Sequence, residues 1–233
     1  LIPLSGVEMD WIMSAGYIKG QGKLYLILTE GKPVDEERLQ SFCYAFSDKG
    51  TFIRRMRSKF SLNSHRDIAW NLELGKLLVI DTNGVKEFLI DKELKKMWGM
   101  ENEKYHEYVL ATYIDHGNYL VLKSTFFIDI RDGSNHELFW HYYTQDEQSF
   151  DMSFSNWILG LEENGDKLFL NCFGGGIHAL NWKNKEAVLF PNAGYYYKIS
   201  DDNQYCWSIK ADEVQLWDVK TGQLKFHLKP FAN

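Results

Sequence analysis

The sequence predicts an all-β chain made of repeated four-stranded antiparallel sheets. Short apolar or β-branched runs recur along its 233 residues, and clusters of Asp, Asn, Gly and Lys separate them, which is typical of strands joined by tight turns. The clearest example is the stretch Tyr195–Leu228, where four such runs follow one another. Aromatic residues make up 15% of the chain, and they also favour strands because they pack well on a pleated sheet.

Five copies of this unit are marked by a turn that is followed by an aliphatic or aromatic strand. The first apolar residues of the marker strands are Leu24, Leu77, Tyr119, Leu168 and Tyr205. They are about 45 residues apart on average, which is a period typical of propeller blades. One strand precedes each marker and two follow it, so five units account for nearly the whole chain. The predicted units span residues 12–56, 68–98, 109–140, 157–190 and 195–228.

The other strands of each unit follow from the same pattern of apolar runs between turns. The strands predicted before the markers are Ile12–Lys19, Ile68–Leu72, Val109–Ile114, Trp157–Leu161 and Tyr195–Ile199. The predicted third strands are Phe42–Phe46, Glu87–Ile90, Phe126–Ile130, Ile177–Leu180 and Val214–Trp217. The predicted fourth strands are Thr51–Met56, Leu94–Trp98, Glu137–Trp140, Ala187–Phe190 and Gln223–Leu228.

The last unit resembles the blades of WD-repeat and quinoprotein-like propellers. Val214–Asp218, followed by Val219–Gly222, is similar to the Trp-Asp end of a blade's third strand and the Thr-Gly turn after it. Trp98 and Trp140 are similar to the Trp that closes many quinoprotein-type blades. Pro191–Gly194 stands where WD repeats carry a Gly-His dipeptide. The resemblance implies a β-propeller.

Physical reasoning leads to the same fold class, an all-β β-propeller in a single domain of residues 1–233. A four-stranded sheet with two apolar faces is not stable alone in water, and radial stacking buries each face on the next sheet. Five four-stranded blades are the simplest count. A partial six- or seven-bladed propeller and a β-sandwich or barrel are the alternatives.

The charge balance and the cysteines restrict the possible partners. The net charge of −6 argues against a general nucleic-acid binder, which needs a basic surface, and it either favours a basic partner or aids solubility. We therefore do not expect nucleic acid as a partner. No apolar run reaches transmembrane length, so we do not expect a membrane as a partner either. Cys43, Cys172 and Cys206 lack metal-ligand spacing and are expected to be buried free thiols. This favours a cytoplasmic protein, and the alternative is a secreted protein with its signal peptide removed.

The sequence contains no recognised catalytic motif. It has neither the GxSxG of a nucleophile elbow nor the HExxH of a zinc site. Five-bladed propellers include glycosidases that use paired carboxylates across the channel. The predicted first strands Ile68–Leu72, Val109–Ile114 and Trp157–Leu161 carry no Asp or Glu, which argues against that chemistry. The sequence therefore favours a protein that is not an enzyme and that has no cofactor or metal.

Long connections predict where binding occurs, because long loops on a rigid scaffold usually carry function. In a propeller, the connections from second to third strand and from blade to blade lie on one face. The long ones here are Thr29–Ser41, Arg57–Asp67, Gly99–Glu107 and His141–Asn156. The candidate binding residues, which are charged or aromatic with a polar tip, are Asp35, Glu36, Glu37, Arg57, Tyr105, His106, Tyr108, His141, Tyr142 and Tyr143.

These loops predict a non-enzymatic protein-binding module whose loop-rich face engages another protein. One form of this hypothesis is that the acidic chain neutralises a basic partner. The alternative is a carbohydrate-binding or carbohydrate-processing five-bladed propeller, in which loop Tyr and Trp side chains stack on a glycan.

Overall fold

The computed structural model describes residues 11–18, 23–30, 40–47, 49, 51–57, 65–71, 73–81, 83–90, 94–101, 107–144, 158–173, 176–194 and 196–229. These residues form twenty β-strands and a 3-10 turn at Asp115–Gly117. The strands are β1 (Trp11–Ile18), β2 (Lys23–Glu30), β3 (Gln40–Ser47), β4 (Phe52–Arg57), β5 (His65–Asn71), β6 (Lys76–Asp81), β7 (Gly84–Ile90), β8 (Leu94–Glu101), β9 (Tyr108–Ile114), β10 (Tyr119–Ser124), β11 (Phe127–Asp132), β12 (Leu138–Tyr143), β13 (Ile158–Asn164), β14 (Lys167–Cys172), β15 (Gly176–Asn181), β16 (Glu186–Phe190), β17 (Tyr196–Ile199), β18 (Tyr205–Lys210), β19 (Glu213–Asp218) and β20 (Leu224–Leu228).

The strands form five four-stranded sheets in which consecutive strands are neighbours. The sheets are β1–β4, β5–β8, β9–β12, β13–β16 and β17–β20. Each predicted strand overlaps an observed one, so the prediction of five repeated four-stranded units is confirmed. Among the described residues, none forms a helix long and apolar enough to cross a membrane.

Two first strands extend further than predicted and contain acidic residues. β5 includes Asp67, and β13 includes Glu162 and Glu163. The expectation that these strands lack carboxylates is therefore wrong. Polar residues continue a strand because the ladder is made by backbone groups, as in the pairing of Asn164 with Lys167. Of these three first strands, β9 is the one that lacks acidic residues.

The chain divides into two compact units. The first comprises residues 1–122 and 133–135, and the second comprises residues 123–132 and 136–233. In the first unit, the sheets β1–β4 and β5–β8 share a core that includes Cys43, Ala45, Met56, Leu77, Val79, Phe88, Ile90 and Leu94. In the second unit, the sheets β13–β16 and β17–β20 share a core that includes Phe169, Ile177, Ala179, Phe190, Ile199, Cys206 and Trp217. That the chain forms one domain stays a prediction.

The three cysteines are buried and free, as predicted. Burial raises the pKa of the thiols of Cys43, Cys172 and Cys206 to about 12. The reactive form of cysteine is the thiolate, so these side chains are unreactive apolar groups at neutral pH.

Candidate functional site

The residues predicted to bind a partner fall into several groups in the structure. The five that lie outside the described residues are Asp35, Glu36, Glu37, Tyr105 and His106. Arg57 ends β4, where only its backbone is described. Tyr108 begins β9 and is buried, so its ring is not available to a partner in this structure.

His141, Tyr142 and Tyr143 lie in strand β12 and not in the loop predicted from the sequence. Tyr143 pairs with Phe127 in β11, and His141 pairs with Asp129. The predicted loop start at His141 is therefore wrong, because aromatic residues favour a strand and the backbone pairing continues through them. A binding role for these three residues stays a prediction.

The side chains of His141 and Tyr142 make polar contacts within the second unit. His141 Nδ1 lies 2.5 Å from Asp129 Oδ1, and the Arg131 guanidinium donates to Asp129 Oδ2 over 3.2 Å. Tyr142 Oη lies 2.7 Å from Nδ1 of the buried His178, which belongs to the next sheet. Within the described ranges, no group of three or more His, Cys, Asp or Glu side chains could hold a metal ion. The contacts of His141 and Tyr142 connect strands and neighbouring sheets.

The burial of His178 predicts a pH-dependent stability. Burial lowers its pKa from the ordinary 6.5 to about 4, so the unfolded chain binds a proton at a higher pH than the folded chain does. The free energy of unfolding should therefore fall as the pH drops from 6.5 towards 4, by up to about 1.4 kcal/mol per pH unit from this group. Urea denaturation at several pH values in this range measures the free energy of unfolding. That free energy should change less with pH for His178→Gln than for the wild-type chain. An equal change with pH in both chains would contradict the contribution of His178.

The sheet β17–β20 has two apolar faces that differ in what covers them. The side that packs on the sheet β13–β16 is called the closed face. Its side chains include Ile199, Cys206, Ser208, Gln215 and Trp217. The Trp217 indole N–H donates to Ser208 Oγ over 2.9 Å, and the Ser208 hydroxyl donates to Gln215 Oε1 over 3.0 Å. This arrangement satisfies the polar groups that the closed face buries.

The residues that carried the WD-repeat resemblance have a structural role in this sheet. Asp218 accepts hydrogen bonds from the backbone N–H groups of Lys220 and Thr221, over 3.0 and 2.9 Å. The contact with the Thr221 backbone lowers the pKa of Asp218. Gly222 has φ +70°, and a Cβ there would lie 2.4 Å from the Leu189 carbonyl oxygen, so the turn requires glycine.

The opposite side of the sheet, which we call the open face, is apolar and exposed. Strand register places on it Tyr196, Lys198, Tyr205, Trp207, Ile209, Val214, Leu216, Phe226 and Leu228. Trp207 is 44% exposed and Phe226 is 49% exposed, whereas Trp217 on the closed face is 4% exposed. Contiguous exposed apolar patches of this kind mark interaction sites.

The open face matches, position by position, the face of the sheet β13–β16 that is buried. The equivalent pairs, aligned from the strand registers, are Phe169 and Trp207, Ile177 and Val214, Ala179 and Leu216, Val188 and Phe226, and Phe190 and Leu228. In β13–β16 these residues pack against the next sheet, and Phe169, Ile177 and Phe190 have no exposed surface. The open face therefore has the form of a sheet-to-sheet contact surface.

At one position on this surface, the sheet β13–β16 has a negatively charged residue and the sheet β17–β20 has a positively charged one. Glu162 accepts a hydrogen bond from the hydroxyl of Tyr197 in the following sheet, and burial together with this contact raises the pKa of Tyr197. Lys198 occupies the position equivalent to Glu162. Among the described residues, no acidic side chain lies within salt-bridge distance of Lys198. The open face thus carries a positive charge where the preceding sheet carries a carboxylate.

Sequence reasoning did not find the open face. The available signal was the run Tyr205–Ile209, in which apolar residues occupy alternate positions on one side while Cys206 and Ser208 occupy the other. Every strand that is buried on both sides gives a similar run, so the pattern does not distinguish a covered face from an uncovered one.

Solved structures with a similar fold define the class of protein. The chain is similar to the WD40 domain of Neurospora crassa Pan2, with 10% identity, a TM-score of 0.59, and coverage of 91% of this chain and 62% of that one. It is also similar to the computationally designed protein Ika8, with 14% identity, a TM-score of 0.61, and coverage of 99% of this chain and 65% of that one. The chain thus spans 62% and 65% of the lengths of these two matches.

The chain therefore has a β-propeller fold, and its five four-stranded sheets are blades. The predicted resemblance to WD-repeat propellers is confirmed at the level of the fold. No family model matches the sequence, and no curated protein matches it either.

Proposed function

We propose that this chain is a non-enzymatic protein-binding module and that it engages another polypeptide through the open face. The observation that carries the proposal is the exposure of Trp207, Phe226 and Leu228 at positions that are buried between consecutive sheets elsewhere in the second unit. Burying apolar surface contributes about 25 cal/mol per Å², and large aromatic side chains at the centre of an interface carry most of its binding energy.

The open face is a different surface from the loop-rich face that the sequence predicts. Most of the long connections, residues 31–39, 58–64, 102–106 and 145–157, lie outside the described residues, so binding by that face stays a prediction. Lys198 adds a positive charge to the open face, which favours an acidic group there. A basic partner, as inferred from the net charge, would have to bind elsewhere on the chain.

Aromatic substitutions on the open face should weaken binding. We expect Trp207→Ala and Phe226→Ala each to weaken binding at least about tenfold, because each removes a ring from the centre of the face. Phe52→Ala is the matched control, since Phe52 is 48% exposed and Phe226 is 49% exposed. The measurement is capture of the partner from cells of the source organism with each tagged chain, followed by titration of the purified partner.

Equal capture by all three variants would contradict the use of the open face. A glycan array offers the test of the alternative function. A glycan ligand that is lost with Trp207→Ala, in the absence of a protein partner, would favour the carbohydrate-binding prediction over this one.

A further inference from the structure

We infer that the partner covers the open face with a propeller-type β-sheet of another polypeptide, and that an acidic side chain of this sheet lies opposite Lys198. The inference rests on the proposed function and specifies the chemistry of the partner.

The shape of the partner follows from the register equivalence. The sheet β13–β16 presents Phe169, Ile177 and Phe190 at the positions that Trp207, Val214 and Leu228 occupy on the open face. What covers those positions in β13–β16 is a four-stranded sheet that lies on them with one apolar face. The same rows of apolar side chains on four twisted strands therefore fit a sheet as their cover.

The charge of the partner is inferred from two carboxylate–tyrosine contacts between consecutive sheets, one with a carboxylate in a third strand and one with a carboxylate in a first strand. Tyr197 donates to Glu162 of the preceding sheet, and in the first unit the Tyr113 hydroxyl donates to Glu87 of the preceding sheet over 2.7 Å. In both cases a donor of the following sheet meets a carboxylate. At Lys198 the roles are reversed, because the lysine supplies the donor and the covering sheet must supply the acceptor. A carboxylate fits best, because Lys198 is exposed and without an acidic neighbour among the described residues, and opposite charges across a contact favour one partner over another.

An added blade is the probe for the shape of the partner. A second copy of residues 191–229, carrying Trp207→Phe so that its peptides can be distinguished, is fused after Asn233 of the full chain. Hydroxyl-radical footprinting with mass spectrometry then reports on Trp207 of the original sheet. We expect its labelling to fall from the exposed level in the unmodified chain to the level of the buried Trp217. Labelling that stays at the exposed level in the fused chain would overturn the sheet-type partner.

Charge reversal on both sides tests the acidic side chain. The added blade is made with Tyr197→Glu or with Tyr197→Lys, because Tyr197 of the copy would lie opposite Lys198 by analogy with the contact to Glu162. Protection of Trp207 should be greater with the Glu copy when the original sheet has Lys198. When the original sheet carries Lys198→Glu, protection of Trp207 should instead be greater with the Lys copy. If the copy that protects Trp207 better is the same for both residues at position 198, the inferred acidic side chain of the partner would be overturned.

The natural partner provides the second readout. Lys198→Glu should weaken its binding at least about tenfold because it places like charges together, whereas Lys220→Glu in the exposed turn should leave binding unchanged. Equal binding by both variants would overturn the inference and leave the proposed function intact, provided that Phe226→Ala still weakens binding. Loss of the Phe226 effect would overturn the proposed function itself.

The unmodified chain tests the other possible occupants. Footprinting of Trp207 at increasing protein concentration, combined with the mass in solution, reports whether a second copy covers the face. We expect a constant exposed level of labelling. Protection that grows with concentration would identify a second copy as the occupant, and protection at every concentration would show that the chain covers the face by itself. Either result would overturn the inference.

Discussion

Replacing Trp217 with alanine is expected to lower the free energy of unfolding by about 3–5 kcal/mol. The side chain is 4% exposed, and its ring stacks on Phe190 with the ring centroids 6.1 Å apart. Its indole N–H also donates to Ser208 Oγ over 2.9 Å. The substitution therefore removes a large buried ring from the core of the second unit and leaves the buried Ser208 hydroxyl without this donor. Urea denaturation followed by circular dichroism measures the change.

Trp207→Ala is the matched control for this prediction. Trp207 lies in the neighbouring strand of the same sheet but on the open face, where it is 44% exposed. We expect its removal to change the free energy of unfolding by less than about 1 kcal/mol, because little of its packing is lost. Trp217→Phe keeps most of the ring and loses the hydrogen bond to Ser208, at a cost of about 1 kcal/mol beyond the lost volume. Equal destabilisation by the two Trp→Ala variants would contradict the distinction between the two faces.

The strands were predictable from the sequence because the signals that form them are local. In β18 and β19, apolar runs are joined by the two-residue turn Ala211-Asp212, which pairs Lys210 with Glu213 and so sets the register of the whole hairpin. The same reasoning holds for the turn at Asp218–Gly222, where Asp and Gly fix the backbone. Repetition of such hairpins then predicts the propeller.

The ends of some strands were not predictable from side-chain character. Asp67 and Glu162 are polar, and the sequence predicts the start of a loop at His141–Tyr143, yet the backbone ladder continues through all of these residues. Asp67 and Glu162 each make a contact with a residue far along the chain. The Ala111 N–H donates to Asp67 Oδ2 over 2.9 Å, for example, across 44 residues of sequence. Local patterns carry no information about such partners.

The open face could not be predicted for a related reason. Whether an apolar row is buried depends on which sheet lies on it, and that is a long-range property of the fold. The run Tyr205–Ile209 predicts only that both sides of the strand are able to pack. The contrast between Trp207 and Trp217 appears once the registers show that one row has a neighbouring sheet in the second unit and the other row is exposed.

Replacing Glu87 with alanine is expected to lower the free energy of unfolding by about 3 kcal/mol, because it breaks a buried ion pair and a buried hydrogen bond together. Glu87 is 1% exposed, its Oε2 lies 3.2 Å from Lys76 Nζ, and its Oε1 accepts a hydrogen bond from the Tyr113 hydroxyl over 2.7 Å. Burial, followed by the charge and the hydrogen bond of Glu87, raises the pKa of Tyr113, so its hydroxyl remains a donor at neutral pH. Urea denaturation of the full chain measures the loss.

Two further variants separate the parts of this contact. Tyr113→Phe removes only the hydroxyl and should cost about 1 kcal/mol, and Glu87→Gln keeps an acceptor for Tyr113 while it removes the charge that faces Lys76. A double-mutant cycle between Glu87→Ala and Tyr113→Phe should give a coupling energy of about 1 kcal/mol. If Glu87→Ala lowers the free energy of unfolding by no more than Tyr113→Phe does, the contribution of the ion pair with Lys76 would be contradicted.

This contact also bears on the partner of the open face. Glu87 with Tyr113 and Glu162 with Tyr197 are the same combination of carboxylate and tyrosine between consecutive sheets, one in each unit. A measured coupling between Glu87 and Tyr113 would show that such a contact stabilises one sheet on the next. Lys198 stands at the position equivalent to Glu162, so a sheet that carries tyrosine there would meet an ammonium group and not a carboxylate. A sheet with an acidic residue at that position should therefore bind the open face more tightly than an ordinary copy of its own blade, because only the acidic residue pairs with the charge of Lys198.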